Sequence, residues 1–221
     1  VLEIRSGGPA QEILQAARDR KADLVAISTH GRGGVRRLLM GSVTEEVLRR
    51  ADLPLLVTRP GLPARDWRRI VVALDGSERA EKVIADAAML SRAGGSALDF
   101  VGVNLSPVTA AGLGEFPPMM PPPEDLGPYL RNAARHAEEL GVKARPVALE
   151  GRAAFTIVKH ATESDAGLIC MTTHGRTGLA RLLLGSIAEE ILRTAPCPVL
   201  VRRNVPAPAP AGSSPQTADR R

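Results

Sequence analysis

Aromatic side chains are nearly missing from this chain of 221 residues, which has one Trp, one Tyr and three Phe. A core must then be built from Ala, Val, Leu and Ile, which suits thin layers of helix on sheet. The same scarcity argues against the stacking platforms on which single-stranded nucleic acids are held. Cysteine is equally sparse. Cys170 and Cys197 are the only two, too few for a disulfide framework or a cysteine-rich zinc site, and a reducing, cytoplasmic setting is expected. No apolar run approaches the roughly 18 residues of a membrane-spanning helix, and the N-terminus lacks the charged-then-apolar pattern of a secretion signal. A membrane partner is therefore not expected. Lys and Arg (29) exceed Asp and Glu (24) to give a net charge of +5. The excess arginines are scattered singly through expected helices, with Arg220 and Arg221 at the end, so the reading is a solvated cationic surface rather than a nucleic-acid-binding one.

What the chain has in abundance is repetition. Residues 24–59 and 168–203 align without a gap across about 36 positions with more than half identical, a spacing far beyond a solenoid unit and so the mark of duplicated domains. Each copy reads T-H-G-R, then L-L, then G-S-x-x-E-E. Overlaying the copies sets Val1 opposite Arg145, inside the expected third strand of the second copy, and leaves 66–144 without a counterpart upstream. Together with a first residue that is Val rather than Met, this reads as a truncated first unit, or as a chain natively carrying one and a half units.

The expected organisation is residues 1–60 as the C-terminal half of a first unit, 61–66 as a Pro/Gly linker, 67–203 as a complete unit and 204–221 as a disordered Pro-Ala tail. In the first unit, strands are expected at 1–4, 24–28 and 55–58, with helices at 9–20 and 42–50. In the second, strands at 70–74, 97–103, 142–149, 168–171 and 199–202 alternate with four helices: one running from Asp75-Gly76-Ser77 to Gly94-Gly95, then 128–140, 153–163 and 186–194. That alternation predicts an α/β fold, a doubly wound five-stranded parallel sheet of order 3-2-1-4-5 with helices on both faces, plus a partial copy of the same fold. The Pro-rich stretch 112–127, with Met119 and Met120, is either a lid or a plain flexible excursion.

Ligands of open α/β sheets sit beyond the carboxyl ends of the strands. There Asp75 either accepts hydrogen bonds from a ribose or adenine, or only caps the next helix. Ser186 with Glu189, like Ser42 with Glu45, has the S-x-x-E spacing of a capping box. Gly185 beside that helix start, and Gly175 ten residues before it, add what a cap alone does not need, room for backbone N–H groups to approach an anion. Arg176 and Arg181 are candidates to neutralise phosphate. His174 reads as a turn histidine, since no nucleophile and acid are spaced to use it as a base. No Walker-type lysine, arginine finger or organised base is present, so turnover would be slow hydrolysis at most.

These residues resemble the universal stress protein family, whose nucleotide-binding members carry G-x2-G-x9-G-(S/T) after the fourth strand. The pattern falls on Thr172, Gly175, Gly185 and Ser186, and in the first copy on Ser28, Gly31, Gly41 and Ser42, with Thr172 and Ser28 standing where the leading glycine would be. The resemblance implies ATP as ligand, with Mg²⁺ or Mn²⁺. Ala73, Asp75 and Val103 would hold the adenosine, and Thr172, Gly175, Arg176, Gly185, Ser186 and Ile187 the phosphates. It also implies pairing through the last strands, as a homo-oligomer or as an intramolecular pseudo-dimer in which 55–58 lies antiparallel to 199–202. The alternative is a stress-type dimerisation scaffold that binds no nucleotide.

Overall fold

The computed structural model describes residues 1–29, 40–104, 125–173 and 184–203. Seven strands form one sheet: β1 (Val25–Ser28), β2 (Leu55–Thr58), β3 (Arg69–Ala73), β4 (Ala97–Asn104), β5 (Ala144–Glu150), β6 (Leu168–Thr172) and β7 (Val199–Arg202). Among the described residues six helices accompany them: α1 (Pro9–Asp19), α2 (Ser42–Arg50), α3 (Glu78–Gly94), α4 (Gly127–Glu139), α5 (Ala153–Glu163) and α6 (Ser186–Thr194). The spatial order is β1-β2-β7-β6-β3-β4-β5. Its last five members run parallel in the expected 3-2-1-4-5 arrangement. The partial copy is not a separate sheet, however. β2 pairs antiparallel with β7, Leu55 opposite Val201, Leu56 opposite Leu200 and Val57 opposite Val199, so both copies share one continuous sheet.

Local sequence explains the helix limits. Pro9 opens α1, where its missing N–H costs nothing. Ser77 caps α3, its Oγ accepting the Ala80 N–H at 3.2 Å, and Gly95 closes it at φ 67°, the left-handed conformation that glycine adopts most readily. Along β3 the side chains alternate between two cores. Ile70 and Val72 face α3 and α4 with Leu98, Phe100, Leu168, Cys170 and Leu200, whereas Val71 faces the layer of α1, α2, α5 and α6. Both cores are aliphatic, and Phe100 is the only aromatic among their fully buried members.

Residues 1–4 are the clearest departure from expectation, since they form no strand. Val1, Leu2 and Ile4 are 112%, 92% and 90% exposed. The cause is a missing neighbour. Their counterpart β5 is held by β4, whereas on this side the sheet stops at β1, which pairs with β2 alone among the described residues. A strand without a ladder leaves its backbone to water. The expected loop 112–127 and tail 204–221 fall largely or wholly outside the described residues.

One buried charge sits inside the sheet. Asp99, in mid-β4, is fully buried and accepts from Arg69 (2.8 Å) and Arg145 (2.7 and 3.1 Å), while His160 Nε2 of α5 lies 3.0 Å from Oδ2. Burial alone pushes its carboxyl up, but hydrogen bonds from Arg145 and His160 and the charges of Arg69 and Arg145 outweigh that, leaving it below the usual carboxylate value. A depressed carboxylate stabilises the fold above its unfolded pKa, and that stability is lost as pH falls through the folded value. Asp99→Asn should therefore unfold about 3 kcal/mol more easily at pH 7. In urea titrations the gap to wild type should shrink as the pH drops below the ordinary carboxylate range; a gap independent of pH contradicts this account.

Candidate functional site

β3 is followed by a helix on one face of the sheet and its neighbour β6 by a helix on the other, which opens a crevice at the carboxyl end of the two strands. Ala73 is the last residue of β3, Val103 lies on adjacent β4 and Thr172 ends β6; α6 begins just beyond. Ala73 and Val103 are half-buried hydrophobics packed on the core beneath. The sequence-predicted residues Ala73, Asp75, Val103, Thr172, Gly185, Ser186 and Ile187 thus lie toward the carboxyl ends of the central strands. Gly175 and Arg176, with His174 and Arg181, lie outside the described residues, as do Gly31 and Met119 and Met120 of the Pro-rich stretch.

The helix start is not a capping box. Gly185 is the N-cap and Ser186 the first helical residue, with no side-chain cap bond, and α2 begins in the same way on Gly41 and Ser42. A capping serine must stand in the non-helical cap position, and here glycine occupies it. The reason for glycine is closeness rather than conformation: Gly185 has φ −68°, which any residue adopts, but a Cβ there would meet the Thr173 carbonyl at 3.2 Å. At Gly41 the corresponding Thr29 carbonyl is 2.8 Å away.

A short relay of backbone bonds fixes this corner. Gly185 N–H donates to Thr173 O (3.0 Å) and Thr173 N–H to Arg202 O (3.0 Å), and the first copy repeats it with Gly41 to Thr29 (3.2 Å) and Thr29 to Thr58 (3.0 Å). The Arg202 side chain is in turn paired with Asp86 of α3. Because the Gly185 amide is spent inward, the groups offered at the helix start are the N–H of Ser186, Ile187 and Ala188, none of which has an intrahelical acceptor. The Ile187 residue is 49% exposed. Such amides at the positive end of the helix dipole suit an anion.

Asp75 is partly committed already. Its Oδ1 accepts the Ser77 N–H (3.1 Å) and the Ser77 hydroxyl (2.7 Å), so it orients the cap of α3 rather than capping it directly. Other chemistry is thin here. Burial pushes the Cys197 thiol up to about 11 and Cys170 well above the ordinary value, so neither is a thiolate nucleophile at neutral pH. Among the described residues no group of three or more His, Cys, Asp or Glu could hold a metal ion, so they offer no protein ligand set for the Mg²⁺ or Mn²⁺ that the resemblance implied. No described helix is long and apolar enough to cross a membrane.

The sequence reading missed Asp99 with its three basic partners, the Asp86 to Arg202 pair, and Arg59, described below. Only Asp99 left a linear signal, a lone carboxylate inside the apolar run of β4.

The contrast between the two glycines is testable. Gly41→Ala should cost about 1–3 kcal/mol, the usual range for forcing a group into filled space. Gly185→Ala should cost clearly less, because its wall stands further off. Urea unfolding of the two variants checks the order, and equal costs would contradict the geometry.

The sequence model of the Universal stress protein family matches residues 1–59 and 66–203. A universal stress protein of Methanocaldococcus jannaschii is 50% identical over 72 residues, 33% of this chain and 42% of that protein. One from Mycobacterium tuberculosis is 29% identical over 190 residues, 83% of this chain and 62% of its own length. The chain therefore spans 42% and 62% of the length of these two curated relatives. Among solved structures, a universal stress protein from Archaeoglobus fulgidus has the same fold, with a TM-score of 0.68 at 22% identity, covering 92% of this chain and 70% of that one.

Proposed function

The chain belongs to the universal stress protein family, and from that premise we propose that its second repeat binds ATP and serves as a nucleotide-dependent stress-response or regulatory module. In this reading residues 1–60 are a half unit, 61–66 a linker and 67–203 the nucleotide-binding unit. Ala73, Asp75 and Val103 face the adenosine. Thr172, Gly175, Arg176, Gly185, Ser186 and Ile187 take the phosphates. The observation that carries the proposal is the start of α6, where no described side chain caps the helix and Gly185 lies so close to the Thr173 carbonyl that a Cβ would meet it at 3.2 Å. An anion of triphosphate charge satisfies those amides and meets the favourable end of the dipole.

A fluorescent ATP analogue titrated against wild type and Gly185→Val tests this. The variant should bind at least about tenfold more weakly, a loss of about 1.4 kcal/mol, while thermal melting verifies that it is folded. Equal affinities would remove the phosphate site.

A second reading, a dimerisation scaffold without nucleotide, is favoured by the side of β1 that no described strand pairs with. Val25 and Thr29 donate toward β2, so in a parallel ladder the backbone groups of Ala26 and the N–H of Ser28 turn to the open edge, while the Ser28 carbonyl accepts from the Thr44 hydroxyl at 3.4 Å. That edge carries neither charge nor proline, the usual protections against pairing. On the scaffold reading, Ser28→Lys lowers the sedimentation coefficient of the self-associated species. A coefficient that stays put eliminates this edge as the contact.

A further inference from the structure

The last strand of the first repeat delivers an arginine to the last helix of the second. Arg59, immediately after β2, donates through Nη1 to the Arg193 carbonyl and through Nη2 to the Ala195 carbonyl, each at 2.5 Å. Those carbonyls close the C-terminal end of α6, the helix whose opposite end is assigned to the phosphates above. Arg203, the repeat-equivalent of Arg59, reaches across the other way. Its Nη2 lies 3.5 Å from Asp52, just past the end of α2.

Resting on the nucleotide reading, we infer that Arg59 is a positioning residue through which the first repeat sets the affinity of the second for the triphosphate. α6 has only nine residues, about 13 Å of helix, so its ends dominate its placement. The bidentate guanidinium satisfies carbonyls that have no intrahelical donor and fixes the end of α6 to β2. It also places a positive charge at the negative pole of the helix, so an anion at the other end feels less of that pole. Both effects act on the phosphates. Neither reaches the adenosine, which is assigned to β3 and β4.

The experiment uses the full chain as Arg59→Ala, Arg59→Lys and Arg203→Ala, each titrated with the ATP analogue and with adenosine. Arg59→Ala should bind ATP about fivefold more weakly, the scale of a charge at a helix end. Its adenosine affinity should be unchanged, and Arg59→Lys, which keeps the charge but not the two-pronged donor, should recover only part of the loss. Arg203→Ala, equivalent in the repeat but directed at α2, should leave ATP affinity alone. An Arg59→Ala chain that binds ATP like wild type overturns the inference while leaving the nucleotide reading standing, and so does an equal loss for ATP and adenosine. If wild type binds neither ligand, the nucleotide reading fails and the inference falls with it.

Discussion

The antiparallel contact between β2 and β7 is the constraint on which the rest of the molecule depends. Leu56 lies opposite Leu200, its own counterpart in the other repeat, and Leu55 and Val57 lie opposite the counterparts of each other. A local twofold therefore passes through the Leu56 to Leu200 pair. The contact covers two strand edges, each a ready template for unwanted pairing, and it merges α1, α2, α5 and α6 into one layer over a shared aliphatic core. It also brings Arg59 to the end of α6.

Around that axis the two repeats are unequal. In the second, α3 and α4 cover the opposite face, so Cys170 and Leu200 are buried to 0% and 1% exposure. In the first, no described helix covers that face, and Ala26, the equivalent of Cys170, is exposed. The backbone relay at the glycine is present in both copies, but only β6 has a β3 beside it. Among the described residues, the first copy thus repeats the backbone geometry of the glycine corner without neighbours equivalent to β3 and β4.

Much of this was legible in residue order. The repeat and the alternation of apolar runs and glycine signals follow from local chemistry, whereas the pairing of 55–58 with 199–202 was implied only by the family resemblance. Failures came where a neighbour decides. Residues 1–4 have the apolar character of a strand, but a ladder requires a partner that composition cannot supply. The S-x-x-E spacing fits a capping box until the preceding glycine takes the cap position, a choice set by the Thr173 carbonyl packed against it. The three basic partners of Asp99 come from β3, β5 and α5, positions dispersed in sequence and joined only by the sheet.

The central claim is that the second repeat grips a triphosphate with the amides that open α6, and backbone NMR of the full chain titrated with ATP tests it most directly. The account predicts large, saturable shifts for the Ser186, Ile187 and Ala188 amides, with the Gly185 amide, bonded inward to Thr173, moving less. Titration that leaves the three helix-opening amides in place while shifting residues elsewhere would contradict it.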